Sequence, residues 1–98
     1  MKSLERKLLS PVEVRSALAK LNGWSANSAV LERRFEFANF AESLAFVNQV
    51  GKIAEKLDHH PDTTFGWGYA EIKTTTHDRG GITAFDMELA RMIDQITR

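Results

Sequence analysis

Apolar residues recur along the chain with two spacings, one helical and one alternating, in an order that predicts helix, hairpin, helix, hairpin, helix. Ser10-Pro11-Val12-Glu13 opens the first helix: the serine caps free N–H groups, the proline suits the first helical position, and Glu13 completes a capping box. Val14, Ala17, Leu18 and Leu21 then share one helical face, and Asn22-Gly23 ends the run. Residues 24–28 and 30–37 predict a hairpin. In its second strand Leu31, Arg33, Phe35 and Phe37 point one way, and Val30, Glu32, Arg34 and Glu36 the other. The phenylalanine side is the buried one, which puts Arg33 near an edge.

Asn39, with Glu42 three residues on, caps a second and longer helix. Its stripe is Phe46, Val50, Ile53 and Leu57, widened by Leu44, Val47 and Ala54. Pro61 stops it, because the residue before a proline is driven out of helical geometry. Residues 63–67 and 69–76 predict two more strands, with Gly66 and Gly68 marking the turn or bulge between them and Gly80-Gly81 a flexible corner beyond. Thr83 with Asp86 is a third capping pair, and Phe85, Leu89, Met92 and Ile96 form the last stripe. The order α-β-β-α-β-β-α calls for an α+β fold: a four-stranded antiparallel sheet with helices on one face. No linker or low-complexity stretch divides the chain, so residues 1–98 read as a single domain.

Composition removes several classes of function. Thirteen Lys and Arg balance thirteen Asp and Glu with no polybasic tract, which gives no electrostatic case for nucleic acid. With no cysteine in the chain, disulfides, thiolate nucleophiles and cysteine-ligated zinc are excluded. No segment approaches the roughly 20 apolar residues of a membrane span, and the N-terminus carries no apolar run of signal-peptide length, so the cytoplasm is the expected location.

Chemistry then falls to three histidines. His59 and His60 sit where the long helix ends and His77 where the last strand ends, two points that a compact domain can bring together. Imidazole titrates near neutral pH, so it can give a proton to one departing group and take one from another. Each residue also has a plainer reading. A histidine at a helix C-terminus satisfies free carbonyls and suits the dipole. Asp86 caps a helix whether or not catalysis occurs, Glu55 is at home on a solvated helix face, and Trp24 and Trp67 suit a core or an edge. Three histidines with Asp58, Asp62 or Asp78 could ligate zinc, but adjacent histidines seldom converge on one ion and no His-x-x-x-His pair is present.

Glu55-Lys56-Leu57-Asp58-His59-His60-Pro61, then Trp67, His77 and Asp86, resembles the signature of the pterin-4a-carbinolamine dehydratases. The stretch Thr76-His77-Asp78-Arg79-Gly80-Gly81-Ile82-Thr83 is similar to that family's Thr-His-Asp-x-Gly-Gly-x-Thr, and Leu21-Asn22-Gly23-Trp24 to its early Gly-Trp element. The likeness spans roughly residues 20 to 97. One departure is that many relatives carry an aromatic soon after His-His-Pro, where this chain has Asp62-Thr63-Thr64 and delays to Phe65. The resemblance implies dehydration of 4a-hydroxytetrahydrobiopterin to quinonoid dihydrobiopterin, in tetrahydrobiopterin recycling, with a pterin as the small-molecule partner and no metal, nucleotide or redox cofactor. It implies His59 and His77 for acid–base work, and His60 mainly for binding and orienting the pterin. Glu55, Asp58, Pro61, Trp67 and Asp78 fall around the substrate, with Asp86 and Thr83 in support. It also implies a homodimer or homotetramer formed through sheet edges and helices. Some animal relatives serve as dimerisation partners of a transcription factor, so a non-catalytic adaptor is the alternative reading.

Overall fold

The structure is a computed structural model and describes residues 4–97. Three α-helices and four strands follow in the expected order: α1 (Pro11–Leu18), β1 (Ser25–Asn27), β2 (Val30–Glu36), α2 (Phe40–Leu57), β3 (Asp62–Gly66), β4 (Tyr69–Thr74) and α3 (Ala84–Gln95), with a 3-10 turn at His77–Arg79. All three helix starts form as the sequence predicts. Ser10 and Glu13 make a reciprocal capping box, as do Thr83 and Asp86, and the Asn39 side chain accepts from the Glu42 amide.

The sheet is antiparallel in the order β1-β2-β4-β3. Leu31, Arg33 and Phe35 of β2 face Thr74, Ile72 and Ala70 of β4, so one side of the two central strands carries the core positions. Phe46 and Val50 of α2 and Leu89, Ala90 and Ile93 of α3 close over that side, with Val14 and Leu18 of α1 packed against the cluster. Glu32, Arg34, Glu36, Glu71 and Lys73 occupy the opposite side, where Arg34 bridges Glu36 and Glu71. The fold is therefore α+β with its helices on one face, as the alternation required.

Element ends differ where local geometry overrides the pattern. The first helix stops at Leu18 rather than at Asn22, and Leu21 reaches the core from a turn. β4 stops at Thr74, and Thr76 instead pairs with Gly81 in an isolated bridge that closes the Gly80-Gly81 corner. Gly80 lies there at φ 73°, which a side chain would strain. Arg33 sits on an inner strand, but β1 pairs only as far as Glu32, so Arg33 marks the start of a free edge on β2. Its guanidinium turns in and binds Asp94 of α3 at 2.9 Å. Asp94 also accepts from Trp24 Nε1 at 2.7 Å and from the Asn22 amide at 3.0 Å, which ties the α1–β1 connection to α3.

The last helix is rotated from the expected stripe. Its buried residues are Asp86, Leu89, Ala90 and Ile93, while Ile96 is exposed and Phe85 and Met92 are half-buried. Spacing by hydropathy puts no carboxylate inside. The inward placement of Asp86 turns the helix, and its reason lies in the site below.

Candidate active site

The end of α2 aims the two adjacent histidines in different directions. Asp58 adopts the left-handed conformation (φ 56°). The amides of Asp58 and His59 turn back to bond the Glu55 and Ala54 carbonyls, a common way to end a helix. Past this reversal His59 is buried and His60 is exposed. Pro61 then fixes the chain into β3. On the other side of the site, β4 runs inward through Ala70, Ile72 and Thr74, continues to Thr76, and delivers His77 on the 3-10 turn.

Asp86 joins these two segments. The residue is fully buried, and its carboxylate accepts four hydrogen bonds. Oδ1 takes one from His59 Nε2 at 2.7 Å and one from Thr74 Oγ1 at 2.6 Å. Oδ2 takes one from Thr76 Oγ1 at 2.9 Å and one from the Thr83 amide at 2.9 Å. A carboxylate only accepts, so the direction of each bond follows. Thr76 donates to Asp86 and accepts from the Thr83 hydroxyl at 2.7 Å, and Thr83 Oγ1 in turn accepts from the Phe85 amide at 3.2 Å. His59 donates through Nε2–H, which leaves Nδ1 as the nitrogen with a lone pair. No buried side-chain polar atom is left without a partner among the described residues.

His59, His60 and His77 line one cleft with Arg6, Asp58, Thr75, Thr76 and Asp78, a space of about 320 Å³. The sequence-level pairing of the two distant histidine segments is thus realised. His60 Nε2 meets Glu55 Oε2 at 2.5 Å on the exposed rim. The His77 ring has no hydrogen-bond partner among the described residues and faces solvent. Asp78 is paired with Arg6, whose hydrogen bond is the first cause holding the Asp78 carboxyl below its ordinary range. The cleft is not the largest hollow: a groove of about 580 Å³ runs between the free edge of β2 and α2. That groove contains no histidine, so the histidine cleft is the candidate site on chemistry and not on volume.

Of the expected substrate positions, Glu55, Pro61 and Trp67 do not line the cleft. Trp67 is 71% exposed in the β3–β4 turn. The hairpin pairs Asp62 with Lys73 at the cleft end and Gly66 with Tyr69 at the other, so Trp67 lies a full strand length away. Phe65, the delayed aromatic, stacks on Phe40 at the start of α2 with ring centroids 5.7 Å apart. Conversely, Thr74 and Arg6 enter the site unannounced by any motif, and Thr76, the first residue of the Thr-His-Asp stretch, enters it with no role given in advance. A readable signal existed for the threonines: the inward face of β4 changes from Ala70 and Ile72 to hydroxyls, and a strand that buries hydroxyls needs polar partners for them. Among the described residues no group of three or more histidine and acidic side chains is arranged to hold a metal ion, and no helix is long and apolar enough to cross a membrane.

A cleft lined by three imidazoles, one of them fixed by a buried carboxylate, is the equipment of an acid–base enzyme. Comparison with known proteins narrows the class. A family model described as pterin 4 alpha carbinolamine dehydratase matches residues 7–96, and the chain belongs to that family of hydro-lyases. A relative from Sulfurisphaera tokodaii, named for the same dehydratase, is 42% identical over 90 residues, 92% of this chain and 97% of its own. Another from Nostoc sp. is 40% identical over 92% of this chain and 97% of its own. Among solved structures, a transcriptional coactivator/pterin dehydratase from Brucella melitensis superposes with a TM-score of 0.90 at 31% identity, over 94% of this chain and 100% of that one. A pterin dehydratase-like RuBisCO assembly factor of the alpha-carboxysome has a TM-score of 0.60 at 23% identity, over 74% of this chain and 84% of that one, which shows a shared fold.

Proposed function

We propose that this chain removes water from 4a-hydroxytetrahydrobiopterin to give quinonoid dihydrobiopterin, as a step of tetrahydrobiopterin recycling, by histidine acid–base catalysis. The observation that carries the reading is the meeting of His59, His60 and His77 in one cleft. The departing hydroxyl needs a proton, and a ring nitrogen of the pterin must give one up. His77 is free in the cleft, and His59 is held in one tautomer by Asp86. These two rings carry the transfers, each worth about 10²–10⁴-fold when well placed. His60, steadied by Glu55, binds and orients the pterin, with Asp58 and Asp78 along the same wall.

The test is direct. A carbinolamine generated by an aromatic amino acid hydroxylase should lose water faster when the purified chain is added, followed by absorbance. No acceleration over buffer would favour the adaptor reading, which the coactivator name of the Brucella melitensis protein and the exposed Phe40 and Leu44 of α2 support. The same apolar side chains and the free edge of β2 support a homodimer or homotetramer. Light scattering should return a multiple of the 11.1 kDa chain mass, and a monomer would contradict that expectation.

A further inference from the structure

Among the described residues, Arg6 is the one lysine or arginine that lines the histidine cleft, and it stands just outside the stretch matched by the family, which begins at residue 7. It reaches the cleft because the chain that follows it is docked on the same corner that carries His77. The Leu9 amide donates to the Ile82 carbonyl at 2.9 Å, and Leu8 packs on Gly81, where an added Cβ would come within 2.9 Å of Leu8 Cδ2. The guanidinium carbon lies 5.4 Å from the centre of the Phe85 ring, and that ring lies 5.6 Å from the ring of His59. One nitrogen, Nη2, donates to Asp78.

This arrangement has little structural purpose. Both side chains of the Arg6–Asp78 pair are well exposed, at 42% and 60%, and exposed pairs contribute almost nothing to folding. Asp78 is held below its ordinary range first by the Arg6 hydrogen bond. A group so lowered keeps its partner above the usual carboxylate range and releases it only as pH falls through the lowered value, so the pair is closed at neutral pH. A guanidinium is flat, carries five N–H donors in a fixed fork and stacks on aromatic faces. With Nη2 engaged by Asp78, the other donors make no hydrogen bond among the described residues and can serve a ligand in the cleft.

We propose that Arg6 is a substrate-contacting, specificity-determining residue, which closes one wall of the cleft by donating edge-on to the carbonyl oxygen of a flat neutral heterocycle. Asp78 aims the fork, and Phe85 backs it. The inference rests on the dehydratase reading above and adds to it the element that selects a carbonyl-bearing bicyclic ring over other small molecules.

The experiment compares wild type with Arg6→Ala and Arg6→Lys, measuring dehydration kinetics and, independently, equilibrium binding of an unreactive dihydropterin by fluorescence. Arg6→Ala should raise both KM and the analogue Kd about 10-fold, the loss of one charge-assisted hydrogen bond, with kcat changed far less. Arg6→Lys should recover only part of the affinity, because an ammonium keeps the charge but not the fork. Melting temperature should not move in either variant. An unchanged KM and Kd in Arg6→Ala, or a fall in kcat at constant KM, would overturn the assignment. Wild-type protein that neither binds the dihydropterin nor speeds dehydration would instead sink the dehydratase reading itself.

Discussion

Asp86→Ala is expected to destabilise the fold by about 3–5 kcal/mol, the usual effect of removing one partner from a buried charged network, out of the roughly 5–15 kcal/mol that holds a domain together. The size follows from what is orphaned. Four donors, from His59, Thr74, Thr76 and Thr83, lose their acceptor at a residue with no solvent exposure. Urea unfolding should show it as a lowered midpoint. Asp86→Asn separates stability from catalysis. The Thr83 amide is the one donor of the four that cannot change role, so the Asn oxygen must face it. The amide nitrogen then faces His59 and Thr74. Thr74 can turn its hydroxyl to accept, and His59 can accept at Nε2 only by carrying its proton on Nδ1. The fold should survive and the tautomer should reverse, with the dehydration rate down by about 10²–10⁴. A full rate in Asp86→Asn would show that the His59 tautomer plays no part in the reaction.

Asp86 also marks where sequence reading stopped short. Capping explained Thr83 and Asp86 completely on local grounds, and both caps are present. Nothing local revealed that the same carboxylate reaches His59, Thr74 at the end of β4 and Thr76 just beyond it. Hydropathy assigned the last helical stripe to Phe85, Leu89, Met92 and Ile96, because a scale that ranks side chains by polarity turns an aspartate outward. The buried stripe runs through Asp86, Leu89, Ala90 and Ile93 instead, and Phe85 is freed to lie against His59 and Arg6. The element order was legible because each helix carries its own start signal and each strand its own alternation. The cluster of three histidines was legible for a topological reason: α2 and β4 both end at the side of the sheet where Asp62 pairs with Lys73.

Contacts that depend on the register of distant segments were not legible. Trp67 belongs to the motif by spacing, yet strand pairing carries it to the far end of the hairpin. Alternation puts Arg33 on the buried side near an edge, but it does not show the partner there, Asp94, a pairing that no spacing rule connects across so many residues. Arg6 has no motif at all, and only the docking of Leu8 and Leu9 on the Gly81–Ile82 corner brings it to the cleft.

Single substitutions of the three histidines should give three different results, and the differences follow from burial. The His77 ring is exposed and makes no hydrogen bond among the described residues, so His77→Ala should leave unfolding unchanged and reduce the rate about 10²–10⁴-fold. His60→Ala removes an exposed ring that, among the described residues, is held by Glu55 alone, and it should act mainly on KM, with stability within about 0.5 kcal/mol of wild type. His59→Ala should lose both rate and stability, because the buried Asp86 then keeps only Thr74 of its two donors at Oδ1 and a cavity opens beside Phe85. His59→Gln tells those two losses apart. The glutamine amide nitrogen can take the place of Nε2 and donate to Asp86, which should restore much of the stability, but an amide neither gains nor gives a proton near neutral pH, so the rate should stay low. Recovery of the rate in His59→Gln would leave His59 a structural prop and hand the proton transfers to His77 and its surroundings alone. Full activity in all three alanine variants would remove the histidines from the reaction altogether.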